Sequence, residues 1–166
     1  MIARNDRATP PDTGNRVTTE EYEQLLIDPG EAGIFVRPED AAALDTAAEH
    51  AGLARWAVDL AGVRTKEALL GKLAERLGFP EWFGGNWDAL NDVLAEQAWG
   101  EPHGIVLTLE HCGDLAAADP EAFETALEVF DSVAESCYDD DIPFWVLVDG
   151  VDAKAFDLPI IGRNED

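Results

Sequence analysis

The stretch FPEWFGGNWDALNDVL, residues 79–94, places three large aromatic residues and a Gly-Gly pair directly before a short amphipathic helix pattern. Asn86 is a favourable N-cap residue, so we predict a helix from Trp87 to about Gln97. A helix turns by about 100° per residue, so its apolar positions form one stripe. We expect that stripe to face a sheet and to consist of Ala89, Leu90, Val93, Leu94 and Gln97.

The other face of this helix carries acids. Asp88 and Asp92 lie four residues apart with Asn91 between them, and Trp99 falls near the same face if the helix continues for another turn. Two like charges at this spacing repel each other by a few tenths of a kcal/mol. A solvated acidic surface is one explanation of the pattern.

The entrance of the helix favours a second explanation. Trp82, Phe83 and Trp87 cannot all be core residues while they flank Gly84 and Gly85, whose backbone a partner can approach closely. Aromatic rings beside carboxylates are typical of a surface that binds basic protein groups. We therefore predict a protein-binding patch.

The charge of the chain narrows the class of partner. Its 166 residues suit one domain, and 35 Asp and Glu against 11 Lys and Arg give a formal net charge of -24. Such a field repels nucleic acid and anionic membranes and attracts basic proteins. Solubility is the alternative explanation for a charge of this size. No segment approaches the apolar length of a membrane helix, and the first residues lack an apolar run, so we expect no signal peptide. Cys112 and Cys137 are expected to be free thiols, so we expect a cytoplasmic protein.

Helical and strand patterns alternate along the chain. Pro38 is expected to open the second helix and Asp119 to cap the last one. Alternation of this kind predicts an α/β fold with a parallel sheet covered by helices. The predicted helices are 18–26, 38–53, 65–79, 87–97 and 119–140, and the predicted strands are 33–37, 55–63, 104–111 and 142–150.

Enzyme motifs are missing from the sequence. It contains no GxSxG, no phosphate-binding glycine loop with lysine and no CxxC, and His50, His103 and His111 lack metal-ligand spacing. Two aspartates on one exposed helix face also lack the cleft that paired catalytic carboxylates need. We expect no catalytic residues, no metal, no cofactor and no enzyme activity.

The segment LGFPEWFGGNWDALNDVL, residues 77–94, resembles the signature of the barstar family, the cytoplasmic inhibitors of secreted bacterial ribonucleases. The resemblance extends from about Arg55 to Gly150. It implies a three-layer, barstar-like fold with a small parallel sheet packed with helices. The residues that match the signature are Pro80, Glu81, Gly84, Asn86, Asp88, Ala89, Leu90 and Asp92.

The resemblance also implies how a single domain, 1–166, is organised. Residues 1–30 are expected to form a flexible or helical N-terminal extension, and 31–54 an added strand-helix unit at one side of the sheet. Residues 55–150 correspond to the barstar-like core, and 151–166 to an acidic, irregular tail.

The implied function is to occlude the active site of a basic secreted-type ribonuclease in a 1:1 complex, as an immunity or antitoxin protein does. Asp92 is the implied main anchor and Asp88 the second, and the long helix contributes an acid that corresponds to Asp131 or Ser132. Asn91 stands where the namesake has tryptophan, and the spacing to Trp99 differs by about two residues. The implied partner-binding set is Trp82, Phe83, Gly84, Gly85, Asn86, Trp87, Asp88, Asn91, Asp92, Trp99 and Asp131.

Two other functions remain open at this point. A protein with the barstar fold is also able to act as an adaptor for a basic protein that is not a nuclease. A small hydrolase that holds a metal ion between Asp88 and Asp92 is the other alternative, although no histidine lies near that pair in the sequence.

Overall fold

Four parallel strands form the centre of the protein, in the order β1-β4-β3-β2. The structure, a computed structural model, describes residues 17–38, 40–80, 83–96 and 104–162. The inner strands β3 and β4 are almost entirely buried apolar runs, as strands covered on both faces must be. The predicted α/β class is confirmed. The strands are β1 (Ile34–Val36), β2 (Ala54–Asp59), β3 (Ile105–Glu110) and β4 (Phe144–Val148).

The helices are α1 (Thr19–Leu26), α2 (Ala42–His50), α3 (Lys66–Leu77), α4 (Trp87–Glu96), α5 (Gly113–Ala118) and α6 (Pro120–Asp139). Helices α1 and α2 pack with the strand side chains Val106, Trp145 and Leu147 on one face of the sheet. The buried side chains of α3 to α6 pack with Ile105, Leu107 and other residues of the opposite face. The result is three layers, with the sheet in the middle.

The helix ends follow the local chemistry of the sequence. Thr18 and Glu21 form a capping box at the start of α1, and the Thr65 hydroxyl accepts a hydrogen bond from the Ala68 amide at the start of α3. Asp119 caps α6 as predicted. Gly78 ends α3 with a positive φ of 70°, which glycine adopts without strain.

The predicted added strand β1 lies at the edge of the sheet, where Ile34 pairs with Val146 of β4. The N-terminal segment is also bonded to the sheet from above, because the Trp145 indole Nε1 donates to the Leu26 carbonyl at 2.9 Å. Trp145 is fully buried, and its ring centroid lies 5.3 Å from that of Phe35. The described part of the predicted irregular tail, 151–162, forms turns, but Ile161 is buried and Ile160 bridges to Val36.

Two element boundaries and one additional helix differ clearly from the prediction. Helix α2 begins at Ala42 and not at Pro38, because Asp40 accepts a hydrogen bond from the Ala42 amide at 3.3 Å and so turns the chain there. Strand β2 ends at Asp59, whose carboxylate accepts from the Ala61 amide at 3.0 Å. Helix α5 was not predicted, since six residues without a side-chain cap give no periodic signal.

The expectation for the apolar stripe of α4 is also corrected. Leu90, Val93 and Leu94 are buried as predicted, but the main packing partner of α4 is α6 and not the sheet itself. Gln97 lies outside the described residues. In the ranges that are described, no helix has the length and apolarity needed to span a membrane.

Both cysteines are free and buried, as expected from their positions in the sequence. Burial raises the pKa of the Cys112 thiol to about 12, and its Sγ donates to the Leu109 carbonyl. A thiol in this environment stays protonated and unreactive at neutral pH.

Candidate protein-binding site

The loop between α3 and α4 exposes its backbone. Gly84 and Gly85 are both exposed, and a Cβ built on Gly85 would meet nothing within 4 Å. Gly85 has a φ of 73°, a conformation that side chains disfavour, so both the turn and the open space depend on glycine. A binding partner is therefore able to reach this backbone directly.

The start of α4 is fixed by Asn86. Its Oδ1 accepts a hydrogen bond from the Ala89 amide at 2.8 Å, which confirms the predicted N-cap. The cap holds Trp87 and Asp88 in the first turn of the helix. At that position the helix dipole stabilises the Asp88 carboxylate.

The aromatic side chains at this entrance lean on the core. The Phe83 ring meets the Phe79 ring edge-on, with 5.0 Å between centroids, and both rings pack against buried core residues. Trp87 is also partly buried against the core, and the Lys66 Nζ lies 5.6 Å from its ring centroid. Phe83 and Trp87 are thus shared between core and surface, and neither is fully buried. Trp82, Glu81 and Trp99 lie outside the described residues.

Asp88 and Asp92 point to solvent. Both are exposed, and neither forms an ion pair with any residue in the described ranges. Their carboxylates are free to meet cations from another molecule without first breaking a contact within the chain.

Asn91 is not on the acidic face, contrary to the prediction. It lies one helical turn after Trp87 on the partly buried side of α4, since positions four apart share a face. Its Oδ1 is shielded from solvent and has no hydrogen-bond partner among the residues that the structure describes. Such an unpaired acceptor typically costs about 1–3 kcal/mol.

Asp131 is exposed on α6, the helix against which α4 packs, and Ser132 beside it is exposed as well. Asp131 belongs to a larger acidic stripe that the sequence analysis missed, although acids every three or four residues were the signal for it. The stripe consists of Glu121, Glu124, Glu128, Asp131, Glu135 and Asp139, all exposed along one helix.

A second polar cluster, also missed, lies where the strands end. The His111 Nδ1 lies 2.7 Å from the Asp59 Oδ1, and the His111 amide donates to the Asp149 carboxylate at 2.7 Å. The hydrogen bond with Asp59 raises the pKa of His111. The pKa of Asp59 is lowered, first by the Ala61 amide and then by His111. In the described parts of the chain, no group of three potential ligands is arranged to hold a metal ion.

Comparison with known proteins gives one family match. Residues 53–149, more than half of the chain, match the family described as Barstar (barnase inhibitor). No curated protein matches the chain with significance.

Several solved structures share the fold. The ORC2 protein of Aeropyrum pernix, in complexes with ADPNP and ADP, aligns with a TM-score of 0.56 and 13% identity, over 82% of this chain and 41% of its own. Cdc6p of Pyrobaculum aerophilum gives a TM-score of 0.50, 16% identity and coverages of 84% and 40%. The Drosophila ORC bound to DNA gives a TM-score of 0.50 and 15% identity, over 82% of this chain and 37% of its own. The chain spans about two fifths of each of these proteins, and at such identities the likeness concerns the fold alone.

Proposed function

Because this chain belongs to the barstar family, we propose that it inhibits a basic secreted-type ribonuclease by occluding the active site with α4 and the loop before it. Members of the family are inhibitors and not enzymes. The observation that carries the proposal is the pair Asp88 and Asp92, exposed and without an ion pair in the described ranges, close in the chain to the exposed backbone of Gly84 and Gly85.

The chemistry of the patch suits a ribonuclease cleft. Such a cleft binds RNA phosphates with arginine, lysine and histidine side chains, and two carboxylates on a rigid helix are able to take the place of phosphates. Phe83 and Trp87 each keep an accessible part, which offers contact area around the charges. The cap at Asn86 fixes this arrangement before binding, so little conformational entropy is lost on association.

We propose a 1:1 complex in the cytoplasm, in which the inhibitor protects cellular RNA from its own or an incoming toxin. The net charge of -24 supports this role, since it draws a basic enzyme toward the inhibitor. Asp131 supplies a further exposed carboxylate on α6, the helix that packs against α4.

The test is titration of the purified protein into RNA-cleavage assays with a panel of basic microbial ribonucleases. We expect stoichiometric inhibition of at least one enzyme and its loss in the Asp88→Ala/Asp92→Ala double variant. The matched control is Glu31→Ala/Glu49→Ala, which removes two exposed acids that are distant in sequence from α4. Asp45 is not used in the control because it pairs with Arg37.

The outcomes separate function from site. Inhibition that survives in the Asp88/Asp92 double variant would retain the function and reject this site. A basic protein that binds the wild type at α4 without any change in RNA cleavage would replace inhibition with the adaptor function. Metal-dependent hydrolysis that is lost in Asp92→Asn would reject both.

A further inference from the structure

A cleft of about 310 Å³ opens beside β2, and three arginines line it. We call it the arginine cleft and define it by Arg37, Arg55 and Arg76. Its floor comes from β2, β3 and β4 and one wall comes from α2. Apolar lining residues such as Leu44 and Val106 belong to the core on the α1–α2 face of the sheet, whereas Leu90 and Leu94 of α4 belong to the opposite core. None of the residues that line the arginine cleft belongs to the proposed ribonuclease-binding surface.

The charge of the cleft is unusual for this chain. Its lining contains three arginines and two carboxylates, Asp45 and Glu110, which gives a net charge of +1 in a protein of net charge -24. Arg37 is neutralised by a bidentate pair with Asp45, at 2.9 and 3.2 Å. Within the described chain, neither Arg55 nor Arg76 has a carboxylate partner. Two guanidinium groups thus have no acidic partner among the described residues, although acids outnumber bases by 35 to 11 in the sequence.

Arg76 is held in place for binding. Its Nε donates to the Ala57 carbonyl at 2.9 Å, and its guanidinium carbon lies 5.6 Å from the centroid of the Trp56 ring. These contacts use one of its nitrogens and one of its faces, so the two terminal nitrogens keep their donors. A guanidinium fixed in this way loses little entropy when it binds a planar oxyanion.

Arg55 lies on β2 two residues before Ala57, so both residues belong to the same side of the strand. The floor also contains Thr108, the one polar or charged residue that is buried in the described parts of the protein, at 8% exposure. A threonine hydroxyl is both a donor and an acceptor. The volume is at the lower end of the range for small-molecule sites.

From these observations we infer that the arginine cleft binds a small organic anion, with its phosphate or carboxylate group held between Arg55 and Arg76. Glu110 carries the opposite charge, so the anionic group sits toward the two arginines and away from the end of β3. The shared chemistry is an oxyanion that accepts hydrogen bonds from two guanidinium groups.

The test is an NMR titration that follows backbone amides and arginine Nε–H groups at constant ionic strength. Sodium pyrophosphate and sodium citrate are the two probes, with sodium chloride as the reference salt. We expect saturable shifts at Arg55, Arg76 and the Ala57 amide with at least one probe. The probe that saturates identifies the source of the oxyanion as phosphate or carboxylate.

Matched variants decide whether the cleft is responsible. Arg55→Ala should weaken binding by about tenfold or more, because a charge-assisted hydrogen bond is lost. Arg64→Ala removes an exposed arginine that does not line the cleft and should leave the affinity unchanged. Asp92→Ala should also leave it unchanged, which separates this site from the proposed inhibitory surface. Absence of saturation with both probes, or equal affinity in Arg55→Ala and wild type, overturns the inference.

Discussion

Asp88 and Asp92 reach solvent from α4, whereas Asn91 between them turns toward the protein. The sequence grouped the three because they are close together along the chain. On a helix, however, Asn91 shares a face with Trp87, which itself rests on the core. The sequence pattern does not show that Trp87 rests on the core. It therefore did not reveal that Asn91, one turn later on the same side, is partly buried.

Asp92→Asn tests the charge of the proposed anchor while its shape is kept. If the carboxylate becomes desolvated against a basic group, its loss should weaken binding by about 2–5 kcal/mol, a range that includes interfaces of this family. The free energy of unfolding should change by less than about 0.5 kcal/mol, since Asp92 is exposed and has no ion pair in the described chain. Calorimetric binding and urea unfolding give the two values. Equal affinity of Asp92→Asn and wild type would contradict the role.

Asn91→Leu should stabilise the protein. Its Oδ1 is an inaccessible acceptor without a partner in the described ranges, and an apolar side chain of similar size removes that penalty. We expect the free energy of unfolding to rise by about 1 kcal/mol in urea titrations. Asn91→Asp, which brings a charge to the same place, should lower it. A fall in stability for the leucine variant would mean that the amide makes a necessary hydrogen bond.

The His111–Asp59 pair predicts a pH dependence. The pKa of His111 is raised above its ordinary 6.5, so its contribution to stability is complete below pH 6.5 and is lost as the pH rises through the folded-state pKa. The pKa of Asp59 is lowered from 3.8, so its contribution is present above pH 3.8 and is lost on acidification through the lower pKa. The pair is therefore most stabilising between about pH 4 and pH 6.5.

The measurement compares wild type with His111→Asn, because asparagine tolerates the φ of 59° at this position but carries no charge. The difference in urea midpoint should be larger at pH 5.5 than at pH 8.5. In Asp59→Asn, the pKa of His111 from NMR should fall toward 6.5. A His111 pKa that does not respond to Asp59→Asn would reject the pairing.

At the scale of helices and strands, the sequence was most informative where a particular side chain is needed to cap a helix. Asn86 and Asp119 each marked the start of a helix correctly, because a side chain has to accept a hydrogen bond from a free helix amide there. The short helix α5 was missed because Cys112 provides no side-chain cap. The packing of α4 on α6 was missed as well, since an apolar stripe does not say which surface will cover it.

The acidic stripe of α6 predicts that one basic residue will stabilise the helix. In Glu128→Lys, the new cation lies four residues after Glu124 and three before Asp131, so two repulsive pairs become attractive. The free energy of unfolding should rise by about 1 kcal/mol at low salt and by less at high salt. Glu128→Gln removes the repulsion alone and should give about half of the gain. Urea titrations at two salt concentrations check both variants.

At the scale of the whole molecule, the sequence predicted the class of the fold and the total charge but neither the strand order nor the local distribution of charge. Alternating patterns predicted the parallel sheet, but they did not predict the order β1-β4-β3-β2, which depends on contacts between distant residues. Likewise, the total charge predicted a basic partner but concealed the arginine cleft, because a sum over the chain hides a local excess of the opposite sign.

Association with a ribonuclease should be steered by this field. We expect the association rate constant to fall by about tenfold or more between low and high salt, with a smaller change in the dissociation rate. Glu128→Lys should lower the association rate at low salt more than at high salt. Stopped-flow mixing measures both, and a rate constant that does not depend on salt would contradict steering.

The indole of Trp145 donates its hydrogen bond to Leu26, a residue outside the segment 53–149 that defines the family. Tyr22, Leu26 and Leu44 share one apolar cluster with Trp145 and Leu147 of the family segment. The segment that matches the family is therefore shorter than the part of the chain that forms this apolar core. Removal of the N-terminal segment would therefore leave Trp145 and Leu147 uncovered and the Trp145 indole without its acceptor.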